Sequence, residues 1–230
     1  AVADKDGLAE AVWAEAVAAT HEDDVVAAQQ CLRRLVELRP AEHPLGVKGW
    51  DALFHLAARA GRMDEANLAV ERLNHAASTT GDTRAAARAA MAEGTLAARS
   101  GAWAIADQKL RAARANAATC SEPQVQLDAL IALAELALRA DDRLLARERL
   151  TRAARLAERW CRPVSRGRAR AMLALMAMNE RQLEAAEAEA RRAAEALALH
   201  PRDQAWATIG LIRATCAAVA RQAPAARQWW

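Results

Sequence analysis

Three arginines recur at one spacing and could bind carboxylates. Arg59, Arg99 and Arg139 fall at every fortieth position, so stacked units of that length would align them in a row. A guanidinium forms two parallel hydrogen bonds with a carboxylate, and a row of guanidiniums would grip an acidic peptide. Alternatively, each arginine lies at the C-terminus of a helix, where the interaction of a cation with the helix dipole stabilises the helix by about 0.3–1 kcal/mol. The second explanation is favoured for any single arginine, whereas recurrence in three consecutive units favours the row.

The sequence contains no motif for metal binding, phosphate binding or nucleophilic catalysis. The histidines show no HExxH motif and no i, i+4 pair, so we expect no zinc site and no other metal. There is no CxxC, no glycine-rich phosphate loop and no Gly-x-Ser-x-Gly nucleophile turn, so the sequence predicts a non-enzymatic protein without a cofactor. The histidines and cysteines are His21, His43, His55, His75 and His200, and Cys31, Cys120, Cys161 and Cys216.

A ladder of alanines predicts the elements that position the arginines. Small residues recur at every fortieth position where a second helix would cross a first helix, and only a small side chain lets two helix axes approach to about 8 Å. Alanine and arginine are also strong helix formers, so the chain is predicted to be all-α. Repeats of this length indicate a solenoid. The ladder consists of Ala66, Ala106, Ala146, Ala186 and Ala226.

The units follow from this period. Gly61 and Gly101 fit the left-handed position that ends the first helix of a pair, and Ser121 and Asp203 are predicted N-caps. We expect a single domain over residues 1–230 that belongs to a longer protein. Its helix pairs are predicted at about 6–38, 45–80, 82–118, 122–160 and 163–199, with an incomplete sixth unit at 202–230.

Seven tryptophans accompany a complete lack of tyrosine. Trp13, Trp50 and Trp103 occupy repeat positions that pack inside a unit, so they are predicted to be core residues. Trp229 and Trp230 end the sequence, where they either cap the stack or indicate that the chain is a fragment of something longer. Self-association through this end is a further expectation. Trp160 and Trp206 fall near unit junctions, where packing between units is the simplest role.

Charge and hydropathy limit the partners and the compartment. The net charge is +3, from 32 basic and 29 acidic residues that are interleaved, so nucleic-acid binding is not expected. No apolar stretch reaches the ~18 residues that a membrane-spanning helix requires. The scattered cysteines fit a reducing compartment, so a cytoplasmic location is predicted. The excess of arginine over lysine suggests a GC-rich bacterial gene.

One segment resembles a tetratricopeptide repeat. Trp50, Leu53, Ala57, the turn at Gly61 and then Ala66 follow the order of the family pattern. The period of 40 exceeds the family's 34, and the family's Tyr and Phe positions hold Ala, Val or Leu. Longer units of this kind are similar to the arrays of bacterial MalT-like transcription regulators. The resemblance implies a right-handed superhelical solenoid of about five and a half antiparallel helix pairs.

The resemblance also implies a function and a site. In such arrays the first helix of each pair lines a concave groove, so this chain would bind a protein or peptide, and an acidic one would suit the arginines. The alternative is an effector-sensing or regulatory domain of a larger bacterial signalling or transcription-regulating protein. The implied groove residues are Lys48, Asp51, His55, Arg59, Arg88, Met91, Thr95, Arg99, Asp128, Ile131, Glu135, Arg139, Arg168, Leu175 and Asn179.

Overall fold

A computed structural model describes residues 5–201 and 203–227 of the chain, without the side chains of residues 21 and 220–227. Every regular element in these ranges is an α-helix, and consecutive helices pack against each other, which confirms the predicted all-α helical repeat. The helices are α1 (Lys5–Glu22), α2 (Val25–Leu38), α3 (Pro44–Arg59), α4 (Met63–Thr80), α5 (Thr83–Arg99), α6 (Trp103–Thr119), α7 (Pro123–Arg139), α8 (Arg143–Arg159), α9 (Pro163–Asn179), α10 (Leu183–Ala196) and α11 (Ala205–Arg227).

The chain divides into two compact units, Ala1–Gln126 and Leu127–Trp230. In the first unit each helix contacts the next, and the odd-numbered helices α1, α3 and α5 also contact one another in turn. In the second unit α8, α9, α10 and α11 pack consecutively, and α9 also contacts α11. Each unit is therefore a stack of helical hairpins whose first helices lie side by side.

The turns reveal a shorter period inside the long one. From position 61 to position 181, a residue with positive φ lies between helices at every twentieth position, which is half of the repeat. Gly61 (φ 73°) and Gly101 (φ 79°) adopt this conformation, as the sequence predicted. Ser121 is itself such a turn residue (φ 57°), so its prediction as an N-cap was wrong. The full set is Gly61, Gly81, Gly101, Ser121, Asp141, Cys161 and Arg181.

Helix lengths explain the long period. Helices α5 to α9 have 17 residues each, and three residues join each of them to the next. The connections are as short as antiparallel neighbours allow, so the additional residues of each unit lie in the helices. Asp203 acts as predicted at the last connection, because its Oδ1 accepts a hydrogen bond of 3.0 Å from the Ala205 N–H. In the last segment, residues 205–227 form one continuous helix.

The core is built from small residues at the helix crossings. Four of the predicted alanines are fully buried, and they are Ala66, Ala106, Ala146 and Ala186. Leu110 of α6 packs so closely on Gly94 of α5 that a Cβ there would lie 2.8 Å from the leucine Cγ. The crossings thus depend on pairs of one large and one small side chain.

The tryptophans divide between core and surface. Trp13 and Trp50 are partly buried against the core clusters of the first unit, in line with their prediction. Trp103 is 45% exposed at the first residue of α6, so its prediction as a core residue was wrong. The Trp206 indole N–H donates a hydrogen bond of 2.9 Å to the His200 carbonyl. Trp229 and Trp230 lie outside the described residues.

Candidate binding surface on the first helices

The first helices bring the predicted groove residues to one face within each unit. In the first unit the backbones of α1, α3 and α5 approach one another. Among the described residues, α2 and α4 meet through side chains instead, such as the Gln29 amide that donates a hydrogen bond of 3.1 Å to Glu65. The backbones of the first helices therefore approach one another more closely than those of the second helices in this unit. The polar residues predicted for this face differ in exposure. Lys48, His55, Arg59 and Arg99 are exposed, whereas Asp51, Arg88 and Thr95 are partly buried.

Helix α3 contributes four predicted residues. The Lys48 ammonium lies 6.0 Å from the centre of the Trp13 ring, within the range of a cation–π interaction. The His55 Nε2 lies 3.7 Å from Asp51 Oδ1, one helical turn away. Arg59 is exposed in the last turn of the helix.

Arg88 of α5 forms two ion pairs on this surface. Its side chain is only 17% exposed and binds two carboxylates, Asp51 of α3 and, at 3.0 Å, Glu122 just before α7. Burial lowers the pKa of the Arg88 guanidinium, but the two carboxylates outweigh burial and raise its pKa above the ordinary value. Arg84 lies 3.8 Å from the same Glu122. The sequence analysis missed Glu122, whose one signal was its place before the proline that opens a unit.

Two further residues of α5 bond to backbone carbonyls. The Arg99 guanidinium donates a hydrogen bond to the carbonyl of Ala58, in the last turn of α3. Arg99 therefore closes the C-terminus of the preceding first helix. The sequence-based alternative placed such an arginine at the end of a helix, and here the helix belongs to the neighbouring pair. The Thr95 hydroxyl donates to the Met91 carbonyl at 2.8 Å.

Two predicted groove residues are buried. Met91 of α5 is 9% exposed and Ile131 of α7 is 8% exposed. Both were expected to face the groove, and the prediction was wrong because neighbouring helices cover this side of each first helix. Ile131 belongs to the core cluster that α7 forms with α8 and α9.

The second unit repeats the ion pair at the same repeat position. Arg168 of α9 lies two repeats after Arg88 and binds Asp203, just before α11, with an Nη2–Oδ2 distance of 2.8 Å. Asp203 thus takes the place that Glu122 has in the first unit. The Arg168 side chain is 47% exposed and has one carboxylate partner instead of two.

The remaining predicted residues lie on α7 and α9. Asp128 is partly buried, and Glu135 and Arg139 are exposed. Partial desolvation raises the pKa of the Glu135 carboxyl, and the positive charge of Arg139 opposes this rise. Glu135 is therefore exposed in part, yet neighbouring protein atoms desolvate its carboxyl.

A small apolar cavity opens at the C-terminal end of α9. It has a volume of about 190 Å³, and Asn179 and Leu175, two of the predicted groove residues, line it together with Leu138, Met172 and Met176. Its charged rim is already paired, since Arg143 lies 3.0 Å from Asp141. Methionine side chains adapt their shape to different apolar groups, so this cavity suits a single apolar side chain.

Some charged groups on the first helices of the first unit form ion pairs, and others do not. Asp51 and Glu122 are bound to Arg88, whereas no carboxylate of the described residues lies within salt-bridge distance of Lys48, Arg59 or Arg99. The exposed charges that α3 and α5 contribute to this face are therefore positive. Within the described ranges, no three His, Cys, Asp or Glu side chains come together as metal ligands. None of the described helices has the length and apolar character of a membrane-spanning segment.

Comparison with known proteins gives the fold and no more. No family model matches the sequence, and no curated protein matches it either. The fold is similar to the crystal structure of BtubC (BKLC) from P. vanneervenii, with a TM-score of 0.61 and 15% sequence identity. The match covers 96% of this chain and 93% of BtubC. At this identity the likeness concerns the arrangement of helices alone.

Proposed function

We propose that this protein is a non-enzymatic interaction module that binds an acidic peptide on the first-helix face of its N-terminal unit, as its resemblance to tetratricopeptide arrays implies. One observation carries the proposal. On α3 and α5, Asp51 is bound to Arg88, which also binds Glu122, while Lys48, Arg59 and Arg99 are exposed without a carboxylate partner among the described residues. Guanidinium groups in such positions bind carboxylates with two hydrogen bonds each.

The Arg88 network supports this role by keeping the surface rigid. Arg88 joins α3 to the start of α7 through Asp51 and Glu122, and Arg99 ties α5 to the end of α3. Side chains fixed in this way lose little conformational entropy when a peptide binds. The peptide would thus meet a preformed row of cations on a fixed backbone.

The test is selection of peptides followed by charge reversal. Binding of a library of short fluorescent peptides is measured by anisotropy at about 50 and about 300 mM salt, because exposed charges are screened at the higher concentration. We expect enrichment of Asp and Glu and weaker binding in salt. Lys48→Glu with Arg59→Glu should weaken binding at least about tenfold, or about 1.4 kcal/mol.

A matched control separates this surface from overall charge. Arg34 and Arg152 are exposed on second helices, so Arg34→Glu with Arg152→Glu makes the same change in net charge on another face. Binding should survive in this control. Selection of neutral peptides, or equal losses in the two double variants, would show that the first-helix face does not bind acidic peptides.

A second candidate is the effector-sensing function, which one cavity favours. A cavity of about 320 Å³ lies between α2, α3 and α4, lined by Trp50, Val36, Leu53 and Leu68 and edged by Arg33 and Glu65. This volume is within the range of small-molecule sites. A metabolite that binds there should raise the melting temperature and change the fluorescence of Trp50. Loss of the fluorescence change in Trp50→Phe, with the thermal shift retained, would place the ligand beside this ring.

A further inference from the structure

Helices α4 and α6 of the first unit begin with exposed apolar side chains. Trp103, the first residue of α6, is 45% exposed, and Ile105, two residues later, is 53% exposed. Met63 has the position of Trp103 one repeat earlier, as the first residue of α4, and it is 39% exposed. We call these three residues the apolar edge. The packing of the hairpins does not cover it, and exposed apolar groups that recur at one position mark a contact surface.

The apolar edge adjoins the arginines of the first-helix face. Trp103 lies beside the α5–α6 turn, because a Cβ on Gly101 would be 3.8 Å from Cζ2 of the indole. Arg99 ends α5 just before this turn, and its guanidinium donates a hydrogen bond to the Ala58 carbonyl in the last turn of α3. Met63 opens α4 after the next turn of the stack. This hydrogen bond therefore brings the two turns of the apolar edge together.

Exposed cations outnumber exposed carboxylates around these two turns. Arg59 and Arg99 are exposed, and each is the last residue of the first helix before its turn. Asp64 is an exposed carboxylate at the start of α4. Two further carboxylates near the starts of α4 and α6 already bind an arginine, in the pairs Glu65 with Arg62 and Asp107 with Arg111. The apolar edge is thus bordered by positive charge.

We propose that the acidic peptide bound by the first-helix face also carries an aromatic or large aliphatic side chain that packs on Trp103 and Met63. Its carboxylates would bind Arg59 and Arg99 on the same side of the turns. This inference rests on the proposed function, and it adds the apolar part of the partner's chemistry. Tryptophan and arginine supply much of the binding energy of protein interfaces, especially where surrounding contacts exclude water. Charge complementarity favours an acidic segment over a basic one at this edge.

The two kinds of contact should respond differently to salt. Exposed charges are screened as salt rises from about 50 to about 300 mM, whereas the burial of an apolar side chain depends little on salt in this range. Trp103→Ala should therefore weaken peptide binding about tenfold at both salt concentrations. Lys48→Glu with Arg59→Glu should weaken binding mainly at the lower concentration.

The experiment extends the peptide selection to variants of the apolar edge. The wild-type chain should select peptides in which an aromatic or large aliphatic residue lies close to Asp or Glu. Trp103→Ala, alone and with Met63→Ala, should bind the selected peptides more weakly by anisotropy, with unchanged helical circular dichroism because alanine is a strong helix former. Leu199→Ala is the matched control, since Leu199 is 89% exposed in the second unit, and it should bind like the wild type.

A spectroscopic measurement tests the contact directly. In a chain labelled with 5-fluorotryptophan, the fluorine resonance that is missing from Trp103→Phe belongs to Trp103. This resonance should shift when a selected peptide is added. A resonance that does not move at saturating peptide would overturn the proposed contact, even if Trp103→Ala binds weakly.

Two other results would overturn this inference and leave the proposed function standing. One is selection of acidic peptides without apolar enrichment, and the other is full affinity in Trp103→Ala, each combined with weak binding by Lys48→Glu with Arg59→Glu. Sedimentation that shows a dimer of the wild-type chain, lost in Trp103→Ala, would assign the apolar edge to a second copy instead. If the Lys48 and Arg59 double variant also binds normally, the proposed function fails as well.

Discussion

The helix pairs α5–α6 and α9–α10 both pack a leucine on a glycine, but at different positions along the same crossing. In the first pair Gly94 receives Leu110, and two repeats later the same two positions hold Ala174 and Ala190. In the second pair Gly167 receives Leu197, and two repeats earlier these positions hold alanines, Ala87 and Ala117. The crossing therefore requires a matched volume, and it leaves open which end of the helices supplies the leucine and the glycine.

Removal of the large partner should have the largest effect. Leu110→Ala leaves a cavity at the α5–α6 crossing and should cost about 2–5 kcal/mol of unfolding free energy. Ala190→Gly, at the same position of α10, removes one methyl group and should cost about 1 kcal/mol, mostly through helix propensity. Urea unfolding followed by circular dichroism measures both. Equal losses would mean that the two crossings do not differ in packing.

The next largest difference in stability should come from replacing the two arginines at the equivalent position, Arg88 and Arg168. Arg88→Ala strands two partly buried carboxylates, Asp51 and Glu122, and should cost about 2–3 kcal/mol. Arg168→Ala strands one carboxylate, Asp203, whose side chain is only 6% exposed but keeps its hydrogen bond from the Ala205 N–H, and should cost about 1–2 kcal/mol. Thermal and urea unfolding of the two variants test the difference. A loss for Arg168→Ala as large as that for Arg88→Ala would contradict the role that we assign to the second carboxylate of Arg88.

The sequence was sufficient for the crossings and the architecture. Alanines at a fixed spacing imply close helix contacts, and Gly61 and Gly101 have no competing explanation at the end of a helix. Three other left-handed turns gave no such signal, because Ser121, Cys161 and Arg181 are residue types that seldom adopt positive φ. Only their recurrence at every half-repeat marks them.

The site was less predictable than the fold. Arg88 and Asp51 were placed on the groove as separate ligands, because their pairing over 37 positions depends on how one helix pair is displaced from the next. Glu122 joins them only because the start of α7 lies beside α5. Met91 is buried as well, which its position on the helix does not reveal. A period read along one chain gives the faces of each helix, and it does not give these distances.

The effect of a substitution at Gly94 on stability should change sign when its contact residue, Leu110, is replaced by alanine. Gly94→Ala places a Cβ 2.8 Å from Leu110 Cγ and 3.2 Å from the Leu110 backbone nitrogen, so it should destabilise the chain by about 1–2 kcal/mol. In the Leu110→Ala background the overlap with the leucine side chain is absent and only the 3.2 Å contact with the backbone nitrogen remains, so the gain in helix propensity should dominate and the same change should stabilise by about 0.5 kcal/mol. A double-mutant cycle measures this coupling. Additive effects would show that Gly94 and Leu110 do not share one volume.

The smallest expected effect is on the melting temperature, and it concerns Glu135 of α7. Thr95 of α5 and Leu175 of α9 correspond to Glu135 of α7, whose carboxyl pKa is raised by desolvation, with Arg139 opposing the rise. A carboxyl with a raised pKa in the folded state favours its protonated form there, so its ionisation opposes folding at pH values above the folded-state pKa. Glu135→Gln should therefore raise the melting temperature slightly at pH 7. This gain should disappear as the pH falls below about 4.3, where the carboxyl is protonated in both states. Glu148→Gln, on the exposed face of α8, is the control for the loss of one negative charge. If it produced the same pH-dependent gain, the effect would come from net charge and not from the position that Glu135 shares with Thr95 and Leu175.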